Sequence, residues 1–355
     1  VSSTELNGGR GNGDRPETLA ILGGGSWGTA LAIVLAPRFR SVRLWMHEAD
    51  LAARIQASRV NDVFLPGLEI PRHVEIGTDL SASLADADIV LGVMPSKYAR
   101  SLYRSALPHL HERMIFVSAT KGIEAGSLLT MSAMMAEVLA EVLAPLGTSH
   151  GKPRIAVLSG PTFAKEIGRG DPAAVVISAN DSATATLVQT AFSGPTFRLY
   201  TNGDMLGVEL GGALKNVIAI AAGAVQGLGL GNNAMAALIT RGLAEITRLA
   251  VAMGAQPLTL AGLSGMGDLV LTCTGDLSRN RRVGLLLAEG RSLAEITAST
   301  PMVAEGVETC HAAVELGRKY AVDLPIIQQM DAVLNQGKHP RAAIRELMDR
   351  SLKSE

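Results

Sequence analysis

The sequence predicts an α/β architecture: an N-terminal Rossmann-type doubly wound sheet followed by an all-α C-terminal domain. Three observations carry that expectation. From residue 18 to about 200, short apolar or β-branched runs alternate with helix-length segments, as in a sheet covered by helices on both faces. After residue 203 the strand signals stop, and segments rich in Ala, Leu, Gly and Glu continue to the end. GGGSWG at 23–28 lies between the first strand-like run and the first helix-like run. A chain of 355 residues is long enough for two domains with separate cores.

In chain order, residues 1–16 (VSSTELNGGRGNGDRP) lack an apolar h-region and read as a disordered leader rather than a signal peptide. The expected strands are TLAIL (18–22), SVRLW (41–45), ADIVLGVMP (87–95), MIFVSAT (114–120), RIAVLSG (154–160) and AAVVIS (173–178), with FRLY (197–200) as a further one. Several are continuously apolar, which suits parallel strands buried on both faces. Residues 17–203 are therefore read as a dinucleotide-binding domain and 204–355 as a helical substrate-binding domain. Residues 216–240 carry no charge and are long enough to span a bilayer. Asn216, Gln226, Asn232 and Asn233, with GLGLGNN breaking the run, make helix, turn, helix the better reading, so no membrane insertion is expected.

Composition narrows the function classes. A net charge of −1 gives no global pull toward nucleic acid, and 3% aromatic residues leave little for base stacking. The two cysteines, Cys273 and Cys310, form no CxxC pair and no Cys/His cluster. Neither a disulfide framework nor a metal site is expected, and a reducing, cytoplasmic setting fits.

The chemistry concentrates in a few stretches. Gly23, Gly25 and Gly28 form G-x-G-x-x-G in strand–turn–helix context. The first glycine permits the tight turn, the second lets a pyrophosphate approach the backbone, and the third lets helix and strand pack closely. A helix starting near Ser26 would direct free N–H groups and its positive end at the phosphates. His47 and Glu48 follow the second strand, where an adenosine ribose is read. An acidic residue there suits NAD and a cationic one NADP, so either cofactor remains open. Adjacent side chains on extended backbone point to opposite sides, so one of the two is expected to face the ribose.

Residues 206–230 contain only two charges, Glu209 and Lys215. Burial would lower the pKa of Lys215 toward neutrality and suit it to donate a proton to a carbonyl oxygen; an ion pair or surface exposure is the alternative. Asn216 beside it is a candidate for orienting substrate. GMGDLVLTCTGDLSRNRR (265–282) packs Asp268, Thr272, Ser278, Arg279 and Asn280 among turn residues. Ser-Arg-Asn opening a helix makes an anion seat, although an ordinary cap or a solvated basic face would also explain it. Lys121 in SATKGIE and Gly160 and Thr162 in SGPTFAKE stand just beyond strands, where α/β sheets bind ligands.

Taken together, GGGSWGTALA, FLPG, ATKG, SGPTFAKE, ELGGALKNVIAIAAG, ALITRGLAE, GDLVLTCTG and SRNRR, in this order over nearly the whole chain, closely resemble the bacterial NAD(P)-dependent glycerol-3-phosphate dehydrogenases. The resemblance implies reversible reduction of dihydroxyacetone phosphate to sn-glycerol 3-phosphate, a backbone for glycerophospholipids, with NADP or NAD as cofactor and a homodimer as the assembly. It implies that Ser26, Trp27, His47 and Lys121 contact the dinucleotide, Lys121 also reaching toward substrate. Gly160 and Thr162 would line the substrate pocket, with Ala164 on the nicotinamide side. Lys215 would be the acid/base group and Asp268 its companion. Ser278, Arg279 and Asn280 would hold the phosphate end, Arg279 touching cofactor too, and Val303 and Glu305 would close over the cofactor. The alternatives are a related ketopantoate reductase or β-hydroxyacid dehydrogenase, in which SRNRR and GDLVLTCTG would lack a purpose, and a non-catalytic dinucleotide sensor, which would not need the lysine.

Overall fold

The computed structural model describes residues 16–143, 153–299 and 304–352. Val303 and residues 1–15 of the expected leader lie outside the described residues.

Ten strands are present among the described residues: β1 (Thr18–Leu22), β2 (Ser41–Trp45), β3 (Val60–Asn61), β4 (Leu65–Glu69), β5 (Val74–Gly77), β6 (Ile89–Gly92), β7 (Ile115–Ser118), β8 (Arg154–Ser159), β9 (Ala173–Ala179) and β10 (Phe197–Asn202). Eight of them form one sheet in the order β10-β9-β8-β7-β6-β1-β2-β5, and β3 and β4 form a separate antiparallel hairpin. Leu19 to Leu22 and all of β6 and β7 are buried, because helices cover both faces of these central strands. From β5 to β8 every pairing is parallel, but β9 runs antiparallel to β8 and β10 parallel to β9. The sheet is therefore parallel over most of its width, as the apolar runs suggest, and mixed at one edge. A continuous apolar run records burial, not direction. β5 and the hairpin have no counterpart among the expected strands. VEIG has only four residues, with Val74 and Ile76 buried and the others exposed or half-buried, too brief an alternation to stand out.

The chain leaves β1 toward β2 on one side and returns to β6 on the other, so the carboxyl ends of β1 and β6 flank a topological switch point. The sheet is covered by α1 (Ser26–Leu35), α2 (Ala49–Ser58), α3 (Leu80–Leu84), α4 (Ser96–Ala106), α5 (Met131–Leu143), α6 (Ala164–Arg169) and α7 (Ser182–Phe192). Beyond β10 the described elements are helical: α8 (Met205–Gly227), α9 (Asn232–Ala252), α10 (Pro257–Leu260), α11 (Asp268–Thr274), α12 (Arg279–Ala288), α13 (Leu293–Ala298), α14 (Glu305–Lys319), α15 (Pro325–Asn335) and α16 (Pro340–Met348).

α8 organises this half. Its apolar stretch is long enough to cross a membrane, yet 94% of its most apolar window is buried inside the protein, with α9, α11, α12, α14 and α15 packed around it. The chain breaks at 228–231 before α9, as the helix–turn–helix reading requires. α12 crosses α8 almost backbone to backbone: a Cβ on Gly223 would lie 1.8 Å from the Arg281 carbonyl oxygen, and one on Gly284 1.8 Å from that of Ile220. This contact brings the Ser-Arg-Asn helix start alongside the helix carrying Lys215.

Candidate active site

A cleft of about 920 Å³ opens between the carboxyl edge of the sheet and the helical half. Its floor at the switch point is the glycine loop. Gly23 has φ +122°, a conformation that disfavours any side chain, and a Cβ there would meet the Val93 carbonyl oxygen at 2.6 Å. A Cβ on Gly28 would lie 1.8 Å from the Gly23 oxygen, so α1 can follow β1 this closely only with glycine. Gly25 differs from both. It is the N-cap of α1 without a side-chain cap bond, and a Cβ there would meet nothing within 4 Å. The start of α1 thus presents uncapped N–H groups to open space, an anion cradle that a side chain would fill.

Three contacts hold the loop. Ser26 Oγ donates to the Phe64 carbonyl at 2.6 Å, tying the β3–β4 hairpin over it. Asn61 Nδ2 donates to the Gly24 carbonyl and to Thr29 Oγ1, each at 2.9 Å. Trp27 lines the cleft, with a buried indole Nε1 that has no partner among the described residues. A cradle open to a phosphate beside an unused buried donor fits a dinucleotide pyrophosphate. His47 and Glu48 are exposed and both line the cleft, where the alternation argument expects one of them. The alternation does not reach them: β2 ends at Trp45, and Glu48 is already the N-cap of α2.

Toward the helical half, Lys215 and Asp268 are both buried. Lys215 Nζ donates to Asp268 Oδ1 at 2.8 Å and to Thr272 Oγ1 at 2.6 Å. Lys121, from the loop after β7, donates to the other carboxylate oxygen, Oδ2, at 2.7 Å. Two ammonium groups therefore share one carboxylate. Burial brings the Lys215 pKa down to about 8; Asp268 opposes the fall, and the Lys121 charge adds to it. A π-helical turn, Leu263–Gly267, leads directly into Asp268 at the first position of α11, and such turns cluster at functional sites.

Lys121 Nζ also donates to the Gly160 carbonyl at 2.9 Å and to Thr162 Oγ1 at 3.3 Å. Thr162 and Ala164 line the cleft. Gly160 does not: it is buried against β9, a Cβ there lying 3.0 Å from Val175 Cα, and its carbonyl acts by fixing Lys121.

The Ser-Arg-Asn segment divides its roles. Ser278 is the N-cap of α12 and accepts the Arg281 N–H at 3.2 Å. Arg279 lines the cleft and makes no hydrogen bond or salt bridge among the described residues. Asn280 lines the cleft with its amide already engaged: Nδ2 donates to Asn216 Oδ1 at 2.9 Å, and Oδ1 accepts the Gly306 N–H at 3.0 Å. Glu305, half-buried at the start of α14, faces the same space, and burial pushes its pKa up.

Residues from β1 to α14 thus converge on one cleft. The sequence reading assigned no role to Ser96, to Asn61, or to the α4 face bearing Tyr98, Ser101, Leu102 and Ser105, which lines the cleft. Thr272 was accessible in principle: it follows Asp268 by four positions, one helical turn on the same face.

With this geometry established, likeness to known proteins is informative. The family model for the NAD-dependent glycerol-3-phosphate dehydrogenase N-terminus matches residues 18–185, and that for the C-terminus matches 204–345. The chain belongs to the NAD-dependent glycerol-3-phosphate dehydrogenase family. A relative in Koribacter versatilis, named glycerol-3-phosphate dehydrogenase (NAD(P)+), is 55% identical over 334 residues, 94% of this chain and 97% of the relative. A relative of the same name in Citrifermentans bemidjiense is 50% identical, covering 96% and 99%. The crystal structure of glycerol-3-phosphate dehydrogenase from Coxiella burnetii superposes with a TM-score of 0.87 at 40% identity, covering 94% of this chain and 99% of that one.

Proposed function

We propose that this chain catalyses the reversible, NAD(P)H-dependent reduction of dihydroxyacetone phosphate to sn-glycerol 3-phosphate. The observation that carries the reading is the buried Lys215–Asp268 pair at 2.8 Å, placed in the same cleft as the open glycine cradle and the Arg279 side chain. The bound dinucleotide supplies the hydride in one direction and accepts it in the other. Lys215 then serves as the proton donor: negative charge developing on the ketone oxygen is stabilised by the ammonium group, which passes its proton to that oxygen. Asp268 keeps the lysine in place and charged, and Lys121 adds a second positive charge that lowers the Lys215 pKa. Arg279 and the start of α12 take the substrate phosphate, the one large handle on so small a molecule. Ser26, Trp27, His47, Ala164 and Glu305 face the dinucleotide.

We assign residues 17–203 to cofactor binding and 204–355 to substrate binding, with a homodimer in the cytoplasm as the working form and glycerophospholipid backbones as the use of the product. The test is NADH and NADPH oxidation, measured separately, with dihydroxyacetone phosphate against a panel of 2-keto acids including ketopantoate. Turnover of the phosphorylated ketone alone supports the reading. Preference for the keto acids points to the ketopantoate reductase type, and dinucleotide binding without turnover of any substrate points to a sensor.

A further inference from the structure

α4 starts at Ser96 with Pro95 as its N-cap and without a side-chain cap of its own. Its cap comes from the other half of the molecule. Glu305, the first residue of α14, accepts the Ser96 hydroxyl at Oε2 (2.9 Å) and the Ser96 backbone N–H at Oε1 (3.4 Å). α14 in turn has no side-chain cap at Ala304, and its Gly306 N–H is taken by Asn280 Oδ1 at 3.0 Å. Asn280 Nδ2 donates to Asn216, the neighbour of Lys215, at 2.9 Å. One chain of polar contacts therefore runs from the carboxyl edge of the sheet to the residue beside the buried lysine. There is little slack in it: a Cβ on Gly122 would lie 2.6 Å from Ser96 Oγ and 3.2 Å from Glu305 Oε2.

The arrangement answers an electrostatic difficulty. Glu305 places a carboxylate in a cleft otherwise suited to anionic phosphates, where a free negative charge would repel the ligand. Two donors from Ser96 and the positive end of α4 offset that charge, and the Arg279 charge favours it too. We infer that Ser96 is a positioning residue for dinucleotide binding: by holding the Glu305 carboxylate it fixes the first turn of α14 against the sheet and offsets a charge that would otherwise repel the cofactor phosphates. The inference rests on the dinucleotide reading above.

The test measures NADH and NADPH dissociation constants by fluorescence titration, with hydrogen exchange on the ligand-free chain. Ser96→Ala should raise the constants roughly fivefold, the scale of a lost helix cap, while kcat at saturating dinucleotide is retained. Amides in the first turns of α4 and α14 should exchange faster in that variant. Gly122→Ala, whose Cβ would intrude between the two side chains, should weaken binding in the same way. The double variant Ser96→Ala/Glu305→Ala should bind no worse than Glu305→Ala alone, because the serine acts through the carboxylate. Additive losses, or unchanged constants in both Ser96→Ala and Gly122→Ala, overturn the proposal. A wild-type chain that binds neither dinucleotide overturns the enzymatic reading and this inference with it.

Discussion

Lys215 and Asp268 meet at 2.8 Å although 53 positions separate them, and the second oxygen of the same carboxylate holds Lys121 at 2.7 Å. The pair alone would keep Lys215 firmly protonated. Burial and the second ammonium pull the other way, leaving Lys215 at about 8, within reach of working pH. This balance yields two predictions.

Lys215→Ala should lower kcat by at least ~100-fold, the usual scale for a lost general acid, with dinucleotide affinity little changed. In the wild type, ketone reduction needs protonated Lys215, so its rate should fall as pH rises through about 8. Alcohol oxidation needs the neutral amine and should rise through the same range. Full pH–rate profiles in both directions check this; two profiles with the same sign would remove Lys215 from the role.

Asp268→Asn preserves shape and deletes the shared charge. Leaving buried ammonium groups without their counterion should cost about 3–5 kcal/mol, visible as a lower Tm. Because Asp268 raises the Lys215 pKa, its loss should also move the limb of the reduction profile below about 8. An unmoved limb would show that the two residues are not coupled.

Arg279→Ala should weaken dihydroxyacetone phosphate far more than non-phosphorylated ketones. Loss of a charge-assisted pair costs roughly 2–5 kcal/mol, part of it from the phosphate left unpaired. Equal losses for both substrate classes would place the phosphate elsewhere.

Gly25 and Gly28 should fail differently when given a methyl group. Gly25→Ala adds a Cβ to open space, so Tm should hold while the dinucleotide dissociation constant rises. Gly28→Ala places its Cβ 1.8 Å from the Gly23 oxygen and should destabilise by about 1–3 kcal/mol, the cost of overpacking. Thermal unfolding beside binding titrations separates the two.

Cofactor choice turns on two neighbours, since His47 and Glu48 both reach the cleft. His47→Ala should raise the KM for NADPH selectively, and Glu48→Ala should favour NADPH by removing a charge that repels a 2′-phosphate. The KM values of both variants for both cofactors decide it; a silent His47→Ala with a large Glu48→Ala gain would mark an NAD-preferring enzyme.

Local information was enough for the glycine loop, seven of the ten described strands, the helix pair around 228–231 and the isolated lysine. Each is written in neighbouring residues: a strand beside a turn beside a helix, or one charge in an apolar run. Ser278 as a cap and Asn216 beside Lys215 were legible for the same reason. The direction of β9 was not, because apolar runs carry no polarity.

What only the tertiary structure decided is which distant groups satisfy one another. Asp268 takes two lysines from different elements, Glu305 caps α4, and Asn280 ties α12 to α8 and α14. A buried charge or an uncapped helix end must find a partner, and the sequence states that need plainly in Lys215. Which of the remaining residues meets it depends on how the two halves close around α8, and no local pattern contains that distance.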